Sequence, residues 1–373
     1  MEKMSDLPRE LVEEILSRVP AKSMREVRLT CKTWNSISKH IGNAAILARE
    51  GEFLGIVVVN CRAFLISLNL HGIHNNTGPK IKRRAKRISV NDHDRDDVAI
   101  YEIYHCEGLL LCTTKDNTTK DNTRLVVWNP YTGQTRWICV EHRSLLLEYT
   151  HVIGYDKSKS CRAYKILRFF ISPRRKGYYV TEMYELKSNS WRVLDVTTSH
   201  DIALMLSVVS LKGNTYWRAV PMDNSVPDFL ICFDFTKERF GPHLPLPFKS
   251  YYDIVTLSSF GEEQLAVLFQ PSNSYGMEIW VTTKIEPSAV SWSKFLAVDD
   301  MRPLYYCGTF LIDKEEIAVV VFHEDDDVIH SSNPQRAYII GENGYFRDLD
   351  IGKITDNGSY LRSCSYVPSL VFF

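Results

Sequence analysis

Val127-Trp128-Asn129-Pro130-Tyr131-Thr132, running on to Trp137, decides how most of this 373-residue chain is read. A short apolar run meets a polar turn, and an aromatic then opens the next run. Val, Trp and Tyr favour pleated strands, and Asn-Pro interrupts them. The unit returns as Tyr184-Glu185-Leu186-Lys187-Ser188 leading to Trp191, and as Phe233-Asp234-Phe235-Thr236 leading to Phe240. It returns again as Ile279-Trp280-Val281-Thr282 leading to Trp292, and as Tyr338–Gly344 leading to Phe346. The closing aromatics are 54, 49, 52 and 54 residues apart.

A second unit alternates with the first, joining a small polar turn to an apolar strand. It reads Glu107-Gly108-Leu109-Leu110-Leu111, Lys212-Gly213-Asn214-Thr215-Tyr216-Trp217, Gly261-Glu262-Glu263-Gln264-Leu265 and Lys314-Glu315-Glu316-Ile317. Further runs of strand length and composition include Ile56–Val59, Leu125–Trp128, Leu230–Phe235, Leu265–Phe269, Met277–Val281 and Ile317–Phe322. A period of about 50 residues with about four strands in each is the blade period of kelch-like β-propellers. Five units are countable, and strands around 53–70 with the terminal Ser365–Phe373 segment would build or close a sixth. An ordinary β-sandwich is the competing reading, but a sandwich has no reason to repeat at nearly equal spacing. The expectation is an all-β domain over residues 46–373, a β-propeller of about six blades.

Composition agrees with a folded, two-part chain. Hydrophobic residues are 45% and charged ones 24%, and the length suits one large domain plus a small one. Lys plus Arg equals Asp plus Glu, 45 against 45, so no global field draws in nucleic acid or anionic membrane. No run of 18 apolar residues occurs, and Met1–Asp6 lacks the apolar core of a signal peptide. The nine Cys are odd in number, contain no Cys-x-x-Cys and mostly sit in apolar runs. They read as small buried hydrophobes in a reducing compartment, the cytoplasm or nucleus.

Residues 1–45 follow a different rule. Leu11, Val12, Ile15, Leu16 and Val19 form a stripe at helical spacing, with Pro8 in the first turn and Pro20 as the stop. Ser23-Met24-Arg25-Glu26 has capping-box spacing and starts a second helical segment, in which Val27, Leu29, Cys31, Trp34 and Ile37 supply apolar positions. So short a module cannot bury a strong core alone. It packs on the downstream domain as a cap, or it completes itself against a partner.

The pattern Leu7-Pro8-x-Glu10-Leu11-Val12-x-x-Ile15-Leu16-x-x-Val19-Pro20-Ala21-Lys22-Ser23, then Arg28-x-x-Cys31-Lys32-x-Trp34, closely resembles the F-box over residues 5–40. That resemblance implies three helices that insert into the Skp-type adaptor of an SCF cullin–RING ubiquitin ligase. Leu7, Pro8, Leu11, Ile15, Leu16 and Val19 would lie at or beneath the contact, and Trp34 would brace the helices. The usual Leu or Val after the Ala-Lys-Ser turn is Met24 here. Over roughly residues 95–300 the chain resembles the F-box-associated interaction domain of plant F-box proteins. The carriers are Trp128-Asn129-Pro130-x-Thr132, Tyr184-x-x-x-Ser188-x-x-Trp191, Gly213-x-x-Tyr216-Trp217, Phe233-Asp234-Phe235-x-x-Glu238-x-Phe240 and Glu278-Ile279-Trp280-Val281 followed by Trp292. The doubled glycine of true kelch repeats is missing, so kelch-like describes the architecture alone.

Other features carry less. Lys80–Arg87 holds six basic residues in eight and reads as an import signal or as a solvated loop neutralised by Asp92, Asp94, Asp96 and Asp97. Lys115–Thr123 is a small tandem duplication that lengthens a loop. His71-x-x-His74, Asp92-His93-Asp94 and Glu324–Asp327 lack further ligands for a metal. No catalytic motif, cofactor fingerprint or metal set stands out. The expected function is a non-catalytic receptor, with the N-terminal module on the ligase and the β domain on an unknown target protein. A propeller oxidase or glycosidase with an incidental helical cap, or an F-box scaffold outside the ligase, are the alternatives.

Overall fold

The computed structural model describes Val12 and Trp34 and, from Phe53 on, the strands and their tighter turns. Residues 71–83, 91–97, 116–122, 141–148, 172–178, 197–201, 223–225, 324–333 and 354–361 lie outside the described residues, with a few shorter gaps.

The described strands form six antiparallel sheets. Blade one takes β1 (Phe53–Val59), β2 (Arg62–Leu68) and β3 (Arg84–Ile88). Blade two is β4 (Ile100–Cys106), β5 (Leu109–Lys115), β6 (Thr123–Trp128) and β7 (Thr135–Cys139). Blade three is β8 (Tyr149–Asp156), β9 (Ala163–Ile171), β10 (Tyr179–Glu185) and β11 (Ser190–Leu194). Blade four is β12 (Ile202–Leu211), β13 (Asn214–Pro221), β14 (Phe229–Asp234) and a split outer edge, β15 (Arg239–Phe240) and β16 (Leu244–Pro245). Blade five is β17 (Ile254–Phe260), β18 (Gln264–Gln270), β19 (Met277–Glu286) and β20 (Ala289–Val298). Blade six is β21 (Cys307–Asp313), β22 (Ala318–His323), β23 (Pro334–Gly341) and β24 (Phe346–Lys353). The last strand, β25 (Arg362–Ser365), returns to pair with β1, with Gly55 opposite Ser365 and Val58 opposite Arg362. The chain's two ends thus share one blade, and the ring closes without a free edge at the axis.

The sixth blade was expected to draw on Ser365–Phe373. The closing strand instead ends at Ser365, and the following residues run on to blade two. There the Asn129 amide, itself buried, donates to the carbonyls of Ser369 and Val371 at 3.0 Å each. Its Oδ1 accepts the backbone N–H of Tyr131 at 2.9 Å and of Thr132 at 3.3 Å. Asp234 holds the same place in the repeat, and its Oδ1 accepts from Thr236 at 2.9 Å and Lys237 at 3.0 Å. Both residues cap their own turn, and Asn129 also clips the tail.

Strands second and third from the axis are mostly buried on both faces, because each blade is covered by its neighbours; the end of β19, at Thr283, Lys284 and Glu286, is open. β14 has no exposed residue, whereas β20 is largely open. The closing aromatics lie on the outermost strands. Trp137, Trp191, Phe240 and Trp292 are half-buried, and Phe346 is exposed. Arg84–Arg87, part of the run read as an import signal or a solvated loop, belong to the edge strand β3. Cys106, Cys112 and Cys232 are buried as expected, but Cys139 and Cys161 are exposed.

The innermost strands β4, β12, β17, β21 and β25 leave an axial cavity of about 60 Å³. His105 lines it, and its Nε2 accepts the Gly108 N–H at 2.8 Å. Burial lowers this imidazole from 6.5 to about 4, against the raising effect of a backbone hydrogen bond at Val367. The native ring is therefore neutral.

Two outcomes follow from these contacts. Asn129→Asp keeps the turn acceptor but sets a carboxylate against two carbonyls, and should lower unfolding free energy by about 2–4 kcal/mol. Asp234→Asn keeps the turn acceptor and loses only the exposed pair with Lys237, so it should cost under about 1 kcal/mol; urea melts of both variants check the contrast. For His105, the folded value lies below the unfolded one, so its contribution is fully present above pH 6.5 and is lost as pH falls toward 4. The loss should reach about 3 kcal/mol, and melts of His105→Gln should show a shallower decline across that window.

Candidate protein-docking faces

Chain direction gives the ring two unlike faces. The first-to-second and third-to-fourth strand connections of each blade emerge on one face, here the turn face. They are short. Glu107-Gly108 and Lys212-Gly213 are two-residue turns with positive φ at both positions, 47° and 86°, then 50° and 74°. Gly is required at the second position for a further reason: a Cβ on Gly108 would stand 2.8 Å from the Ser369 backbone nitrogen. The second-to-third connections and the links between blades emerge on the loop face, and most of the long segments fall there.

Turn-face residues lock neighbouring blades together. A Cβ on Gly154 would stand 2.3 Å from the Phe235 ring, so the third-to-fourth turn of blade four plugs directly into blade three. Around that plug the buried Lys165 ammonium donates to the Phe235 carbonyl at 3.2 Å and to Glu238 at 2.7 Å. Glu238 also pairs with Arg192 at 2.5 Å. Burial alone would raise the Glu238 carboxyl, but hydrogen bonds from Arg192 and Lys165 bring it below its ordinary value. One junction earlier, the Tyr155 hydroxyl donates to Glu107 at 2.5 Å, and Arg162 pairs with Glu107 at 2.6 Å. A cleft of about 480 Å³ opens beside these contacts, lined by Lys157, Lys212, Glu263, Lys284 and Glu286 among others. Lys212–Glu263 at 3.6 Å and Lys284–Glu286 at 3.3 Å are exposed pairs of small energetic weight.

The loop face of blades four and five has a buried ionic latch. Arg218 on β13 donates to the Asp228 carboxylate through Nε at 2.9 Å and Nη2 at 2.5 Å. The same guanidinium reaches the carbonyls of Val255 at 3.3 Å and Asp253 at 3.2 Å. Ser250 adds its hydroxyl to Asp228 at 3.0 Å. One cation thus fixes a blade-four loop and the link into blade five. Nothing in the spacing of Arg218 and Asp228 announces this pair; the exposed apolar residues above it carry no motif either.

Of the expected adaptor-contact residues, Trp34 is helical and buried at 4% exposure. Val12, a member of the same stripe, is helical and buried at 1%. Leu7, Pro8, Leu11, Ile15, Leu16 and Val19 lie outside the described residues, as do His71, His74, His93, Lys80–Arg83 and Glu324–Asp327. Among the described residues no group of three or more His, Cys, Asp or Glu is placed to hold a metal ion. No described helix is long and apolar enough to cross a membrane.

Comparison with known proteins meets this geometry. Residues 4–43 match the F-box domain, and residues 54–373 match the F-box associated beta propeller domain, a wider span than the motifs had suggested. The chain is 48% identical to the putative F-box protein At3g17620 of Arabidopsis thaliana, over 98% of this chain and 95% of that one. It is 46% identical to the putative F-box protein At3g24580 and 43% identical to the F-box/kelch-repeat protein At3g16740 of the same plant, each over the full length of both chains. With blades one to six all inside the matched span, the chain belongs to the plant F-box proteins that carry an F-box-associated β-propeller.

Proposed function

We propose that the chain is the target-recognising subunit of an SCF-type cullin–RING ubiquitin ligase. One observation carries this reading: an F-box at residues 4–43 is joined to a closed propeller that begins at Phe53. The F-box implies a Skp-type adaptor as partner. Residues 1–45 are the docking module and residues 46–373 the target-binding one. Leu7, Pro8, Leu11, Ile15, Leu16 and Val19 fill or support the adaptor contact, and Trp34 braces the helices beneath it. The ligase gains rate by proximity, holding a target lysine near the charged ubiquitin carrier.

The receptor needs no cofactor and no nucleic acid, and it works in the cytoplasm or nucleus. The axial cavity is too small to be the substrate site of a propeller oxidase or glycosidase. At about 60 Å³ it is far smaller than the roughly 300–1,000 Å³ of small-molecule sites. A scaffold working outside the ligase would keep the adaptor but not the cullin, so copurification of the cullin separates those readings.

Replacing Leu7 and Pro8 together by Ala should abolish copurification of the adaptor while the propeller melts as in the wild type. Truncating one buried Leu costs about 2–5 kcal/mol, enough to lose a micromolar contact. Full adaptor recovery with the folded double variant would overturn the assignment. A second outcome concerns the division of labour. Without residues 1–45 the ring still has all its strands, because β25 closes on β1. Expressed in excess, this truncation should shield the target and lengthen its half-life, whereas the full chain should shorten it in a proteasome-dependent way. Equal shortening by both would end the two-module reading.

A further inference from the structure

The structure's exposed apolar side chains are not scattered. Among the described residues, seven large hydrophobics are exposed: Val193, Met205, Met222, Val226, Tyr251, Tyr275 and Phe346. Val193 and Phe346 stand alone on outermost strands of different blades. The other five share the loop face of blades four and five. Met222 at 69% exposure and Val226 at 46% lie between β13 and β14. Tyr251 at 41% lies between blades four and five, and Tyr275 at 61% between β18 and β19. Met205, at the start of β12, completes the group.

These tips are held from below. Asp228, two residues after Val226, is gripped by Arg218 and by Ser250, the neighbour of Tyr251. The Asp253 carbonyl accepts from the same Arg218, and its carboxylate accepts the Ser272 N–H at 3.0 Å. The Tyr275 carbonyl accepts the Met301 N–H at 2.8 Å. A row of hydrogen bonds therefore ties the three connections that carry the patch. Preorganised aromatic and Met side chains over a fixed frame are what interface centres use.

We propose that Met222, Val226, Tyr251 and Tyr275 form the surface on which the target protein docks an apolar segment, a refinement that rests on the receptor reading above. Area and charge select this occupant. The five side chains expose on the order of 500 Å², at the upper end of what a monomer leaves bare. That is less than the roughly 800 Å² per partner of a stable interface, so a second copy meeting patch to patch would not hold by it alone. A target that seats aromatic or aliphatic side chains here and reaches over the rim would. The described rim has Lys249 against Asp253 and Asp299, too balanced to choose a strongly acidic or basic segment. The cleft with Lys157, Lys212 and Lys284, the last two paired with Glu263 and Glu286, is on the turn face. Phe53, the first strand residue of the ring, and the tail held by Asn129 open on the turn face, the side opposite this patch.

The test displays random peptides against the full-length chain and measures the affinity of those selected. Selected peptides should be rich in aromatic and aliphatic residues. Met222→Asp with Tyr275→Asp should weaken them at least about tenfold, with an unchanged melt. Lys212→Glu with Lys284→Glu, on the turn face, should leave them within about twofold. If the Asp pair does not fold, Met222→Ser with Tyr275→Ser replaces it. Equal affinity for the patch variant overturns the proposal, as does selection of acidic peptides lost with the lysine pair. A library that yields no binder, or a wild-type dimer that Met222→Asp dissociates, also overturns it. Adaptor copurification is scored on the same variants: its loss in the wild-type chain would refute the ligase reading, while the peptide result judges the patch by itself.

Discussion

Ring closure is the constraint on which the rest depends. Each blade buries its faces only against its neighbours, so a row of blades left open would expose two sheet faces. The four register pairs between β25 and β1 remove that exposure. Closure also fixes where the ends lie. β25 finishes on the turn face, and the residues after it cross to blade two, where Asn129 takes both tail carbonyls. The Asn of the Trp128-Asn129-Pro130 motif therefore serves its own turn and the seam of the ring at once.

From closure follows the division between the faces. On the turn face most connections, those of blades two to five above all, are too short to vary without breaking blade junctions. Phe235 fills the space left by Gly154, Gly213 faces Tyr155 at a distance that admits no Cβ, and Lys165 is enclosed by carboxylates and a carbonyl. On the loop face, the connections can lengthen without touching the core, which is where binding residues accumulate on rigid scaffolds. The ring thus has one face of mostly tight junctions and one face of longer connections.

How much of this was legible in the sequence depended on the layer. The runs Leu109–Cys112, Leu125–Trp128, Leu230–Phe235, Leu265–Phe269 and Met277–Val281 all fall in second or third strands, which are covered on both sides and so read as unbroken apolar stretches. Outer strands such as β20 alternate irregularly with solvent and were marked only by one aromatic. The repeat gave the blade count because turns and closing aromatics recur. It misplaced the closing strand because Arg362–Ser365 is polar and short, while the apolar tail after it looked more like a strand. Trp34, an apolar position of the second helical segment, is buried. The latch of Arg218 and Asp228 was not legible, since an ion pair formed across a loop has no periodicity.

That latch also bears on why the propeller keeps charge in its interior. Enclosing Arg218 and Asp228 costs desolvation that their attraction does not fully return, so the pair is a poor source of stability. Its four hydrogen bonds, however, run to one carboxylate oxygen and two carbonyls on a neighbouring segment, and only one placement of the loops satisfies them together. An apolar filler would tolerate many loop positions. The charged group tolerates one, and the side chains above it inherit that definition. Apolar tips held in this way lose little freedom on meeting a partner, so the binding energy of a small patch goes into affinity rather than into ordering the loops.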